Sequence, residues 1–194
     1  MESEVSAPVT ASPDALATPI PTHMSPEETA ALVDLARGKH VLEVGSWLGH
    51  STVAMARVAE RVWAVDWHRS DPHLEWATGG TFDSARQFLD NLDRAGVRDR
   101  VVAVIGRSED VLPRLAGGQH AGIPFDLVFL DGYHSAEQTE TDARNALSVL
   151  GPVPGRDQVI AAHDYGLFGV NEGLRRAGFG APERTAGYLA IFRF

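Results

Sequence analysis

Residues 40–52 read HVLEVGSWLGHST, and this stretch decides the fold class. The run His40–Val44 is typical of a buried strand, because branched aliphatic residues surround a single acid. Gly45 ends the strand, and the pattern that follows predicts a helix over 51–60. A buried strand that turns directly into a helix begins a β–α–β unit. The stretch therefore predicts an α/β protein with a parallel sheet.

The same alternation of strand and helix continues on both sides of this stretch. Upstream, Ser25, Pro26 and Glu28 form a capping box that opens a helix, and Gly38 ends it. Downstream, the pattern predicts strands over 61–66, 101–105, 125–130, 159–162 and 188–194, with helices over 81–96, 109–115, 135–150 and 170–177. Crossovers between parallel strands are right-handed, so we expect a Rossmann-like, doubly wound, mostly parallel sheet with helices on both faces.

Composition limits the functions that this sheet can serve. The chain has 194 residues, no cysteine, 17 basic and 26 acidic residues, and a net charge of −9. Residues 1–24 are rich in Pro, Ala, Ser and Thr and are expected to form a disordered tail before one domain over 25–194. The acidic balance disfavours nucleic acid and anionic membranes as partners. No apolar stretch is long enough for a membrane helix and no secretion signal is evident, so a cytoplasmic location is expected.

The loop after the first strand indicates the class of ligand. Gly45 and Gly49 lack the middle glycine of a dinucleotide-binding loop, and Trp47 would crowd a pyrophosphate. Glu43 would repel phosphates but suit an ammonium group, and Asp66, at the end of the second strand, can accept hydrogen bonds from both hydroxyls of a ribose. A ligand with an amino-acid part, a ribose and no phosphate fits both acids, and S-adenosylmethionine is such a ligand.

Three segments carry a family resemblance. Residues 41–52 resemble the first motif of class I methyltransferases, 125–135 their fourth-strand motif, and 151–165 their fifth-strand segment. Together, in this order and spacing, they resemble the small-molecule O-methyltransferases related to catechol and natural-product sugar O-methyltransferases. The resemblance covers 25–194 and implies an S-adenosylmethionine-dependent enzyme that methylates a hydroxyl of a small molecule.

The resemblance also implies a cofactor site. The glycine loop would approach the methionine part of S-adenosylmethionine, with Glu43 near its ammonium and Asp66 at the ribose. Arg107 and Ser108 would border the adenine, on which Trp67 could stack. The residues expected to contact the cofactor are Glu43, Gly45, Ser46, Gly49, Ser51, Asp66, Trp67, Arg107, Ser108 and Asp131.

Catalytic residues are expected at the ends of the fourth and fifth strands. In the resembling families a divalent ion is held there, and Asp131, His163 and Asp164 are the corresponding candidates, suited to Mg²⁺ or Mn²⁺. His163 departs from the usual acidic residue at its position, and an imidazole suits Mg²⁺ poorly, so a structural or acid–base role for His163 stays open. His134 occupies the slot of the general base, with Asp131 beside it as the second catalytic candidate.

Two rival functions and the acceptor site stay open at this stage. One rival is a non-catalytic protein that binds S-adenosylmethionine, although such a protein would need none of Asp131, His134 and Asp164. The other is a nicotinamide-dependent oxidoreductase, which the missing glycine disfavours. Few residues separate Asp164 from the last strand. The small-molecule acceptor site should therefore be completed by the loop over 67–80, by the first helix, or by a second subunit in a homodimer.

Overall fold

The computed structural model describes residues 19–69, 83–116, 124–151 and 157–194 of the chain. Strands alternate with helices along these residues, as the sequence predicts, and a short 3₁₀ turn at Arg98–Arg100 leads into the third strand. The helices are α1 (Pro26–Ala36), α2 (His50–Ala56), α3 (Ala85–Arg94), α4 (Ser108–Arg114), α5 (Ala136–Leu150) and α6 (Val170–Arg176). The strands are β1 (His40–Val44), β2 (Arg61–Asp66), β3 (Val101–Ile105), β4 (Leu127–Leu130), β5 (Val159–Ala162), β6 (Arg184–Ala186) and β7 (Leu189–Arg193).

The strands form one sheet in the order β3-β2-β1-β4-β5-β7-β6. Neighbours from β3 to β5 pair in parallel, and β7 runs antiparallel to both β5 and β6. The predicted Rossmann-like, mostly parallel sheet is confirmed. The sequence analysis missed β6, which forms a short hairpin with β7. The strand order reverses between β1 and β4, so a ligand site is expected at the carboxyl ends of these two strands.

The hydrophobic core has one half on each face of the sheet. On the first face, α1, α2 and α3 cover the sheet through residues such as Leu32, Met55 and Phe88. On the second, α4, α5 and α6 do so through Leu112, Ala143 and Leu174. Helices on both faces explain why the central strands are buried along their length, and they leave the strand ends as the place where polar side chains can gather.

The start of the domain differs from the expectation. The capping box of α1 forms as predicted: the Ser25 hydroxyl accepts from the Glu28 N–H and the Glu28 carboxylate accepts from the Ser25 N–H. Ile20 and Met24, however, are buried in the first half of the core, so placing the end of the tail at residue 24 is a few residues too late. Residues 1–18 of the predicted tail, most of the 67–80 loop and the cap at Thr81 lie outside the described residues. No helix in the described part of the chain combines the length and apolarity that a membrane crossing requires.

Candidate active site

The register of the sheet brings four sequence-predicted positions to one level. Val44 pairs with Val65 on one side and with Leu130 on the other, and Leu130 pairs with Ala162. The next residues along these strands are Gly45, Asp66, Asp131 and His163, which therefore line the carboxyl edge of the sheet at the reversal of strand order.

Gly45 joins the two central loops of this edge. It has a positive φ of 88°, and a Cβ added to it would lie 2.1 Å from the carbonyl oxygen of Asp131. No side chain larger than hydrogen fits without moving the backbone after β4. Two further residues of the loop, Trp47 (φ 43°) and Gly49 (φ 92°), also have positive φ, so the backbone turns sharply before α2.

Asp66 holds the shape of the glycine loop. Its Oδ2 accepts hydrogen bonds from the N–H groups of Ser46 (2.8 Å) and Trp47 (2.7 Å), and its Oδ1 accepts from the N–H of His68 (2.6 Å). A carboxylate offers about four acceptor positions, and three are filled. One acceptor position is therefore free, and binding of both hydroxyls of a ribose by Asp66 would require one of these three hydrogen bonds to open.

Glu43 does not reach the surface of the site. Its side chain is 0% exposed, and its oxygens accept from the hydroxyls of Ser51 (2.5 Å) and Thr52, both at the start of α2. Burial raises the pKa of Glu43 to about 8, although the two hydroxyl hydrogen bonds act in the opposite direction. The expected direct contact between Glu43 and an ammonium group is therefore corrected to an indirect role, in which Glu43 fixes α2 behind the loop. Ser51, turned inward by the same bond, is also buried.

Ser46 presents an unused polar atom at the same loop. Its hydroxyl oxygen is buried and has no hydrogen-bond partner among the described residues. Buried polar atoms of folded proteins are usually paired, so a hydroxyl left without a partner in a glycine loop fits a ligand that would supply one.

Asp131, His134, His163 and Asp164 form one cluster at the ends of β4 and β5. Nδ1 of His163 lies 3.0 Å from Oδ1 of Asp131 and 3.7 Å from Oδ1 of Asp164. Nε2 of His134 lies 3.1 Å from Oδ2 of Asp164 and 3.7 Å from Oδ1 of Asp131. The two carboxylates thus stand between two imidazoles, as the strand-end positions led us to expect.

The two histidines of the cluster differ in environment. His163 is 3% exposed, whereas the side chain of His134 is 32% exposed. The Nε2 atom of His134 is nevertheless buried, and it has no hydrogen-bond partner among the described residues. Burial opposes a charge on His163, but the hydrogen bond and charge of Asp131, together with Asp164 and Glu28, outweigh it and raise the pKa of His163 to about 9. His163 is the buried member of the pair, and His134 is the more exposed one.

The same cluster has the donor set of a cation site. Asp131, His163 and Asp164 each offer one ligand atom, and these atoms all lie within 4.8 Å of one another. Two carboxylates and one imidazole suit Mn²⁺ better than Mg²⁺, which prefers oxygen alone. The residues present therefore fit a divalent ion.

Trp67 and Arg107 are brought together beside the ends of β2 and β3. The guanidinium carbons of Arg107 and Arg69 each lie 5.0 Å from the centre of the Trp67 ring, which is 39% exposed. The neighbouring Ser108 accepts a hydrogen bond from Gln138 (3.1 Å). The partly exposed indole and the two guanidinium groups offer aromatic and cationic surface that a planar ring could contact.

Two residues of the site were missed by the sequence analysis. Phe168 is 80% exposed, has a positive φ of 50°, and stacks on the His134 ring at 5.6 Å between centroids. Glu28 is buried and its Oε2 lies 3.6 Å from Nε2 of His163. Phe168 carries no motif, and Glu28 was assigned to a helix cap. Only the fold brings either of them to the strand ends.

Comparisons with known proteins give the family of the chain. A family model described as a methyltransferase domain matches residues 42–165, well over half of the chain. The catechol O-methyltransferase of Mycobacterium tuberculosis is 40% identical over 103 residues, which cover 52% of this chain and 39% of that protein. The matched segment thus spans about two fifths of this curated relative.

Solved structures give a similar result. The cofactor-bound protein Rv0187 from MTB is 33% identical with a TM-score of 0.55, covering 75% of this chain and 59% of that one. The O-methyltransferase from Bacillus cereus, solved in complex with SAH, is 24% identical with a TM-score of 0.61, covering 81% of this chain and 70% of that one. The second likeness shows the shared fold.

Proposed function

The chain belongs to the methyltransferase domain family, and from this membership we propose that it transfers the methyl group of S-adenosylmethionine to a hydroxyl oxygen of a small molecule. The similarity to a catechol O-methyltransferase supports oxygen as the methyl acceptor. The observation that carries the proposal is the contact of His134 with Asp131 (3.7 Å) and Asp164 (3.1 Å) at the ends of β4 and β5. A protein that only bound S-adenosylmethionine would not need this cluster.

S-adenosylmethionine would lie along the carboxyl edge of the sheet. Gly45, Ser46 and Gly49 would face its methionine part, and the unpartnered Ser46 hydroxyl supports this assignment. Asp66 would accept a hydrogen bond from one ribose hydroxyl at its remaining acceptor position. Trp67, Arg107 and Ser108 would border the adenine. When bound, the cofactor supplies a sulfonium methyl group whose positive charge suits an acidic site.

His134 would act as the general base. The acceptor hydroxyl would give its proton to the His134 imidazole as its oxygen takes up a methyl group. The bound cofactor would supply that methyl group and leave as S-adenosylhomocysteine. Asp164 at 3.1 Å and Asp131 at 3.7 Å from Nε2 would stabilise the positive charge that the imidazole gains. The stacked Phe168 ring would hold the imidazole in this orientation.

A divalent ion would be held by Asp131, His163 and Asp164. The ion would act as a Lewis acid that lowers the pKa of the acceptor hydroxyl and holds that hydroxyl in position. The closeness of the three donor atoms supports this part of the proposal, and the single imidazole favours Mn²⁺ over Mg²⁺.

The same reasoning bears on partners and location. The excess of acids, 26 against 17 basic residues, supports a small-molecule acceptor rather than nucleic acid. We also propose a cytoplasmic location, as the sequence led us to expect.

A methyl-transfer assay tests the proposal. Tritiated S-adenosylmethionine is incubated with pools of hydroxylated aromatic and sugar compounds, and label in the small-molecule fraction is measured. His134→Ala should lower kcat by about 10²–10⁴-fold while the Kd for S-adenosylhomocysteine changes less than about twofold. The control is His40→Ala, because His40 is a half-buried histidine at the opposite end of β1. Undiminished turnover of His134→Ala would remove His134 as the base.

A further inference from the structure

Glu28 is buried where a helix-capping acid is usually exposed. It stands in the first turn of α1, where the carboxylate of a capping box needs only to reach back to one backbone N–H. Its side chain is nevertheless 3% exposed, whereas the adjacent Glu27 lies in solvent. Burying a carboxylate is costly unless each oxygen is paired, so its surroundings should show why it is there.

Three groups from different parts of the fold converge on the Glu28 carboxylate. Oε2 accepts from the Ser25 N–H at 2.6 Å, and Oε1 accepts from the Tyr188 N–H at 2.7 Å, in the turn between β6 and β7. Gly187 in that turn has a positive φ of 56°, and a Cβ there would lie 2.6 Å from Oε1. The hairpin turn is thus shaped around the carboxylate.

The third group is the imidazole of His163. Its Nδ1 is hydrogen-bonded to Oδ1 of Asp131 at 3.0 Å. Its Nε2 lies 3.6 Å from Oε2 of Glu28, which is an ion-pair distance, and Nε2 has no hydrogen-bond partner among the described residues. The buried carboxylate of Glu28 therefore faces one nitrogen of the ring, and the carboxylate of Asp131 faces the other.

We propose that Glu28 is a positioning residue that holds the Nε2–H side of His163, and thereby directs Nδ1 of His163 at Asp131 and Asp164. A histidine that serves a site through one nitrogen is commonly oriented by a carboxylate at the other. The ring of His163 is buried, so it has no solvent to orient it in place of Glu28. Glu28 belongs to α1 and is hydrogen-bonded to the β6–β7 turn, so both elements must be packed in place before His163 is oriented toward Asp131 and Asp164. Its catalytic consequence rests on the proposed function.

Ring NMR tests the contact without reference to activity. Imidazole ¹⁵N resonances are recorded at one fixed pH for the wild type, Glu28→Gln and the matched control Glu27→Gln, with His163→Asn used to assign the signals. Glu28→Gln should move the His163 Nε2 resonance, and Glu27→Gln should leave it in place. An unmoved His163 resonance in a folded Glu28→Gln protein would overturn the proposal. If Glu28→Gln does not fold, Glu28→Asp replaces it, because its carboxylate is one methylene further from His163 and the same change is expected.

Kinetics test the consequence. Glu28→Gln should lower kcat about 10–100-fold, as is usual for residues that orient a site histidine, with the KM for S-adenosylmethionine changed less than about twofold. In a His163→Asn background the same substitution should have almost no further effect, because its target is gone. The proposal would be contradicted if the two losses of kcat add up in the double variant Glu28→Gln/His163→Asn. It would also be contradicted if Glu27→Gln lowered kcat as much as Glu28→Gln does. Absence of any methyl transfer would count against the proposed function alone, since the NMR result stands apart from it.

Discussion

The close contact between Gly45 and the β4 loop makes Gly45→Ala the most informative single perturbation of the fold at the site. Two costs are expected. An L-residue at φ 88° costs about 1–2 kcal/mol of unfolding free energy. The new Cβ, 2.1 Å from the Asp131 carbonyl oxygen, forces the backbone apart, and overpacking of this kind costs about 1–3 kcal/mol.

The sum is a loss of about 2–5 kcal/mol, which for a domain of this size lowers Tm by about 4–20 °C. Gly38→Ala separates the two costs. Gly38 also has a positive φ, 67°, but a Cβ there meets nothing within 4 Å. It should lower Tm by the conformational cost alone, about 2–8 °C.

Differential scanning calorimetry of the three proteins in one buffer measures both effects. Gly45→Ala should melt well below Gly38→Ala, and it should also bind S-adenosylhomocysteine more weakly because its glycine loop and the Asp131 loop have moved apart. Equal Tm values for the two variants would refute the claim that the β1 and β4 loops are held in contact through Gly45.

Three further predictions follow from the site. In the folded wild-type protein the pKa of Glu43 is about 8, whereas in the unfolded chain it is close to its ordinary value of 4.5. Between these two pH values the folded protein holds a proton that the unfolded chain has released. The unfolding free energy should therefore fall as the pH rises from 4.5 to about 8. Glu43→Gln, which resembles the protonated acid, should flatten that fall in urea titrations between pH 5 and 8, and an unchanged slope would contradict the buried, protonated Glu43. Exhaustive chelation should abolish methyl transfer, and Mn²⁺ should restore it better than Mg²⁺ because His163 is in the donor set; turnover that survives chelation would exclude the metal. Asp66→Asn exchanges an acceptor oxygen for a donor and leaves backbone N–H groups of Ser46, Trp47 or His68 unpaired, so it should cost about 1–3 kcal/mol in thermal or urea unfolding and weaken binding of S-adenosylhomocysteine; a variant as stable as the wild type would contradict the loop-holding role.

The fold could be predicted from the sequence because buried parallel strands and their helices leave strong local patterns. The five parallel strands and the last strand were placed within a few residues, since each is a short apolar run that ends at glycine or a polar residue. The edge strand β6 was missed because Arg184–Ala186 is three residues long and has little apolar character. A strand this short forms because β7 provides a partner, which no local pattern reports.

The candidate site could be predicted only in part. A motif gives the position of a residue at the end of a strand, but it does not give the contacts of the side chain. Strand ends brought Asp131, His134 and Asp164 together as expected. Glu43 and Asp66 were placed at the correct strands, but their oxygens are taken up by the protein itself. Glu28 lies 135 positions before His163 in the chain, so only the packing of α1 against the sheet reveals their contact.

Calorimetric titration with S-adenosylhomocysteine, and separately with NAD⁺, tests the central claim that the carboxyl edge between β1 and β4 binds S-adenosylmethionine. The account predicts binding of S-adenosylhomocysteine with a Kd between about 1 μM and 1 mM, weakened by Asp66→Asn, and no heat with NAD⁺. Binding of NAD⁺ without binding of S-adenosylhomocysteine would contradict it.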